Sequence, residues 1–197
     1  MRLNRAFVYI AAAAVFYLGM PAHSHGEPPT AAKGGDEMSQ LEEKPFTDTK
    51  SGITLRLPKG WTAKKGIEHT GYEAPVKDKA SAGSLAPNVV LALDDRPGIK
   101  PENLAAAVKL KRAQYAKLYA DMAYKETLDE KLSVGGKDGH VIGFQYTYKN
   151  VLAIETKQVW VITEGKVYTV TFTSVQEMWD KNNAVFTAVT KTLKIPD

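Results

Sequence analysis

Cysteine is absent from this chain of 197 residues. That excludes disulfides, thiolate metal sites, cysteine nucleophiles and lipid attachment through cysteine. There is no arginine-rich stripe and no interleaving of basic and aromatic residues, so the charge pattern gives no footprint for nucleic acid. No Gly-x-Ser-x-Gly elbow occurs. Gly135-Gly136-x-x-Gly139 lacks the lysine and hydroxyl residue that end a phosphate loop, and the strand–helix setting of a dinucleotide fingerprint. Histidine is scarce: His23, His25, His69 and His140 are the complete set. Neither His69 nor His140 has a second histidine at helical or strand spacing, and with no convergent set of acids around them both read as surface residues.

An apolar run long enough to span a bilayer, about 20 residues, is also missing at the start. Met1-Arg2-Leu3-Asn4-Arg5 is short and basic, Ala6–Met20 is apolar over 15 residues, and Pro21-Ala22-His23-Ser24 ends in small residues. These are the three parts of a secretory signal. A retained N-terminal anchor is the competing account, but the run is short and has no stop-transfer flank. Cleavage is expected after Ser24, because cleavage after Ala22 would set Pro21 beside the scissile bond. The signal is therefore residues 1–24, the mature chain has no stable membrane anchor, and its place is periplasmic or secreted. Loss of Arg2 and Arg5 lowers the formal charge from +4 to +2, which leaves little of the basic character.

What remains is ordinary for one globular domain: 44% hydrophobic and 24% charged residues, in a length that supports a single core. Residues 25–45 carry Gly, Pro, Glu, Lys and Ala without periodicity and read as a disordered tether; residues 46–197 form the domain. Ile53, Leu55 and Leu57 alternate with polar residues, the period of a half-buried strand, and Pro58-Lys59-Gly60 turns into Trp61. Residues 66–87 read as a long loop, a feature that is often functional or mobile. Asn88–Asp94 is a strand. Pro101–Ala123 is a helix with Leu104, Val108, Tyr115, Leu118, Tyr119 and Met122 on one face. Lys111 falls in the middle of that face. One reading is a stem lying along apolar surface with its ammonium in water; the other is contact with a ligand or partner.

The second half reads as β-structure. Strands are expected at 125–134, 141–148, 156–163 and 167–173, joined by turns at 135–139 and 164–165. Short connections force antiparallel neighbours. Ser174-Val175-Gln176-Glu177 fits a capping box ahead of a final helix with Val175, Met178, Val185, Phe186, Val189 and Leu193 on one face, ended by Pro196. Strand 156–163 is apolar on both faces, so it is central and Trp160 is core. The pattern predicts an α/β/α sandwich with a mainly antiparallel sheet and one long helix on each face.

Leu57-Pro58-Lys59-Gly60-Trp61, together with Val167–Thr173 running into the Ser174–Leu193 helix and the ending Leu193-Lys194-Ile195, resembles the PsbP-like family. That family takes in PsbP photosystem proteins, Ran-binding Mog-type proteins and DcrB-type bacterial envelope proteins. The resemblance covers residues 46–195. It implies the same sandwich and a non-enzymatic binding or assembly role, with no catalytic set to carry over. The lipid anchor common in DcrB-type members does not transfer to a chain without cysteine.

The functional expectation is thus an exported, non-enzymatic envelope protein that binds a protein or a small ligand, needs no cofactor, has no bound metal and does not bind nucleic acid. Trp179 sits at the edge of the last apolar stripe, near the 66–87 loop, and heads the candidate partner-binding residues with Lys111 and His69. Asp94-Asp95 and Asp129-Glu130 are carboxylate pairs, but adjacent strand residues point to opposite faces and do not converge. Two alternatives stay open. One is a hydrolase whose residues meet only in three dimensions. The other is a copper- or zinc-handling protein that chelates through a mature N-terminal His25, or through His-Ser-His if cleavage follows Ala22; its counterpart is an accidental histidine in a tail.

Overall fold

The glycine pair at the first hairpin of the second half sets the geometry of the sheet. Gly135 and Gly136 have φ of +58° and +83°, as a two-residue turn matched to the right-handed strand twist requires. They join β6 (Lys125–Val134) to β7 (Lys137–Tyr148), and short turns, at 149–151 and 164–165, lead to β8 (Leu152–Thr163) and β9 (Lys166–Val175). The computed structural model describes residues 37–65, 70–73 and 85–196. Before this meander lie β1 (Phe46–Thr47), β2 (Thr54–Leu55), β3 (Thr62–Lys65), β4 (Thr70–Glu73) and β5 (Asn88–Asp95). Strands β3–β9 make a seven-stranded sheet in the order β3-β4-β5-β9-β8-β7-β6, and every pairing is antiparallel. Strands β1 and β2 pair separately. Only Thr54–Leu55 of the expected 53–57 strand forms a ladder, yet its alternation holds: Ile53, Leu55 and Leu57 are all buried.

Among the described residues the two α-helices are α1 (Leu104–Leu118) and α2 (Trp179–Lys191). Alternate residues of each central strand serve different helices. Ile142, Phe144, Trp160, Ile162 and Val167 pack with Leu104, Val108 and Tyr115 of α1. Val141, Val159, Val161, Tyr168, Val170 and Phe172 pack with Val185, Phe186 and Val189 of α2. The expected α/β/α sandwich, with a helix on each face, is the observed architecture.

Four local expectations are corrected. First, the described end of the expected tether, residues 37–45, is folded: a 3-10 turn spans Glu37–Gln40, Leu41 is 1% exposed in the α2-side core, and the Glu42 N–H donates to the Leu57 carbonyl at 2.7 Å. Leu41 and Met38, both packed on that core, and the backbone links to Leu57–Lys59 hold it. Second, the capping box does not form. Strand β9 continues through Ser174, whose hydroxyl donates to the Val175 carbonyl and accepts from Asn182 Nδ2 at 2.9 Å, and α2 starts only at Trp179. Third, Leu118 is 47% exposed. The inward stripe of α1 runs through Leu104, Val108, Lys111 and Tyr115 to Tyr119, and Leu118 lies a residue to its side. Fourth, Lys111 is on that stripe and 4% exposed; it does not lead its ammonium out to water.

Residues 1–36, 66–69, 74–84 and 197 lie outside the described residues, and with them most of the expected 66–87 loop, of which Thr70–Glu73 forms strand β4 instead. The expected signal and its cleavage site, most of the tether, His23, His25 and His69 therefore have no structural counterpart here.

Candidate partner-binding site

A cleft of about 390 Å³ opens beside the start of α2, lined by Ser39, Gln40, Pro58, Lys59, Trp61, Pro87, Met178, Lys181, Asn182 and Val185. Distant parts of the chain meet there because each is anchored. Leu41 fixes the 37–42 segment to the core. The Pro58–Trp61 turn is tied to that segment: Lys59 N–H donates to the Gln40 carbonyl at 2.9 Å and Gly60 N–H to Glu42 Oε1 at 3.1 Å. Gly60, at φ +76°, takes the left-handed conformation that lets this turn close. Asn182 is held by Ser174, so the strand that replaced the expected cap positions the first turn of α2.

Phe186 is the hinge of the site. It is fully buried, packs on Phe172, and meets both Trp61 (ring centroids 6.2 Å apart, edge to face) and Trp179 (5.9 Å). Both tryptophans are half-exposed. Trp179 is where the sequence puts it, at the margin of the α2 stripe, between the cleft residues Met178 and Lys181. Trp61 is, with Trp160 and Trp179, one of the tryptophans the sequence offers for a binding surface, but there it reads only as the end of the Leu57–Trp61 turn and is not joined to Trp179. Nothing in the sequence points to the 39–40 segment.

The other candidates lie on the α1 side. Lys111 packs over the Tyr115 ring at 4.8 Å. Burial pushes its ammonium down to about 8, Arg96 adds to that, and Asp94 opposes it. Around it the interior is polar: Tyr115 Oη–H and Trp160 Nε1–H both donate to Gln158 Oε1, at 2.9 and 3.2 Å, and Gln158 Nε2 donates to Thr171 Oγ1. Trp160 is core, as expected, with its indole N–H satisfied.

His140 has an acidic partner after all. Its Nε2 lies 2.6 Å from Asp129 Oδ1, reached diagonally across the β6–β7 pair rather than by spacing along one strand. Arg112 on α1 binds the same Asp129 and also Glu126. Those carboxylates are three residues apart and would face opposite ways on a regular strand; a bulge between Glu126 and Leu128 turns both to the α1 side. Arg112 holds the Glu126 carboxyl below its ordinary range; His140 first, and Arg112 with it, do the same for Asp129. This is a half-exposed ionic patch on an edge strand. Asp129 and Glu130 diverge, as do Asp94 and Asp95. Asp94 pairs with Arg96 at 2.6 Å. Among the described residues no group of three or more His, Asp or Glu side chains is placed to hold a metal ion, and no helix is long and apolar enough to cross a membrane.

No family model and no curated protein sequence matches the chain. Solved structures do. The solution structure of cyanobacterial PsbP (CyanoP) from Synechocystis sp. PCC 6803 superposes with a TM-score of 0.57, covering 85% of this chain and 99% of its own at 14% identity.

The fold is PsbP-like.

The Saccharomyces cerevisiae Ran-binding protein Mog1p shares it at TM-score 0.56 and 8% identity, over 80% of this chain and 97% of its own. So does a Pseudomonas aeruginosa protein described as of unknown function and a putative regulator, at TM-score 0.52 and 14% identity, over 80% and 98%. At such identities the likeness speaks for the PsbP-like fold alone.

Proposed function

We propose that the chain is an exported, non-enzymatic binding module that docks a protein partner at the cleft beside α2. The observation that carries this is the pair of half-exposed tryptophans, Trp61 and Trp179, held on one buried phenylalanine at the margin of a cleft. Aromatic side chains with one face packed and one face wet are the residues on which protein interfaces concentrate their energy. That a structural neighbour is a Ran-binding protein supports partner binding as a use of this fold, not a particular partner. The basic, apolar and small-residue segments of residues 1–24 support export, with the folded body working outside the cytoplasm. Lys111, enclosed under α1, contributes to the interior rather than to docking in this reading. His69 belongs to the 66–87 segment that leads to Pro87 on the cleft wall and stays a candidate contact.

Affinity capture from the envelope fraction, comparing the unaltered chain with Trp179→Ala and Trp61→Ala, tests this reading. One protein recovered by the unaltered chain and by a Leu110→Ala control, but depleted at least about 10-fold by either tryptophan variant, is the expected result. Equal recovery by all of them, or no partner with any, would overturn it.

A further inference from the structure

The cleft has a charge as well as a shape. Among the described residues its only ionic lining groups are Lys59 and Lys181. Both are exposed, and among the described residues neither joins an ion pair. Glu42, Glu177 and Asp180, on the segments that supply the lining, are not part of it. Trp61, Met178 and Val185 supply large apolar side chains to the same lining.

Resting on the reading of this chain as a partner-binding module, we propose that the cleft takes an acidic segment of the partner, with one bulky apolar side chain against Trp61 and carboxylates on Lys59 and Lys181. An apolar centre ringed by solvent-accessible charge is the anatomy of a protein interface. A small-molecule site instead buries its few convergent polar groups inside. Two cations in a lining that holds no acid among the described residues also disfavour basic partners, since like charges brought together at an interface are costly. The exposed position of the lysines makes the attraction sensitive to salt.

Fluorescence anisotropy of labelled synthetic peptides on the full chain tests this. The probes are a peptide of glutamates and aspartates around a single phenylalanine, the same peptide with alanine for phenylalanine, and one with lysines for the acids. The acidic phenylalanine peptide is expected to bind, to weaken at least about 10-fold without its phenylalanine or in K59E/K181E, and to weaken as salt rises; the lysine peptide is expected to bind only K59E/K181E. Because Lys59 and Lys181 are exposed, the double variant should keep the thermal midpoint of the unaltered chain, which separates lost binding from lost folding. No binding of the acidic peptide, or equal binding by K59E/K181E, would overturn the proposal. If a partner captured through Trp61 and Trp179 binds K59E/K181E undiminished, the acidic assignment fails while the binding-module reading stands.

Discussion

Lys111 occupies the point on α1 where the apolar stripe calls for a leucine or a methionine. Its position was legible from helical spacing, but its burial was not, because whether a lysine stem escapes to water depends on what packs above and beside it. Here Tyr115 and the Gln158–Thr171 polar strip close the space. The consequence is a pH dependence with a definite sign. The folded-state value is lowered to about 8, against about 10.4 in the unfolded chain. Between these values the unfolded chain binds more protons, so stability rises with pH. The expected gain across the window is about 1–3 kcal/mol. Lys157 is shifted down by burial as well, so the informative quantity is the difference from Lys111→Met. That variant should show a flatter rise in urea midpoint between pH 7 and 10, and an identical rise would contradict the account. Above about pH 10 the trend should reverse. There the tyrosines of the unfolded chain give up protons that the folded Tyr115, Tyr119 and Tyr146, all pushed up by burial, retain.

At the scale of elements, the four strands of the meander were readable because each is long, strongly patterned and bounded by a turn with its own residue chemistry. β6 ran from Lys125 to Val134 in the sequence as it does in the fold. The start of α2 was misread because Ser-x-x-Glu is equally at home on a strand whose serine finds a partner elsewhere, and Asn182, eight residues on, supplies that partner. The bulge in β6 carried no signal in β6 itself. Its counterpart is Gly143 on β7. A Cβ there would stand 2.8 Å from Leu128 Cβ and 2.8 Å from Thr127 Oγ1, so the bulged strand lies closer than any side chain at position 143 permits. Gly143→Ala is therefore expected to destabilise the chain by about 1–3 kcal/mol, read as a lower denaturant midpoint with an unchanged slope. Because the bulge aims Glu126 and Asp129 at Arg112, the same variant should loosen that ionic patch, visible as a weakened Arg112 side-chain signal in NMR. Full stability in Gly143→Ala would show that β6 can do without the bulge.

For the whole molecule, alternation within β7, β8 and β9 was sufficient to place one helix on each face, since both sets of alternate residues are apolar and each needs a cover. The docking cleft was half legible. Trp179 could be picked out as the aromatic at the edge of a stripe. Trp61, Lys59, Gln40 and Pro87 could not be joined to it, because their meeting depends on the 37–42 segment lying against α2 through Leu41, a long-range contact that no local pattern encodes. The PsbP-like body thus brings two tryptophans, and two lysines that join no ion pair among the described residues, to one place from two separate stretches of chain. Site-specific photocrosslinking in the envelope tests that convergence most directly. A photoreactive residue in place of Lys59 should give one dominant protein adduct, also obtained from position 181. The same residue in place of Leu110, exposed on α1 across the sheet, should give none. Adducts arising from position 110 and absent from 59 and 181 would contradict the assignment of the cleft as the docking site.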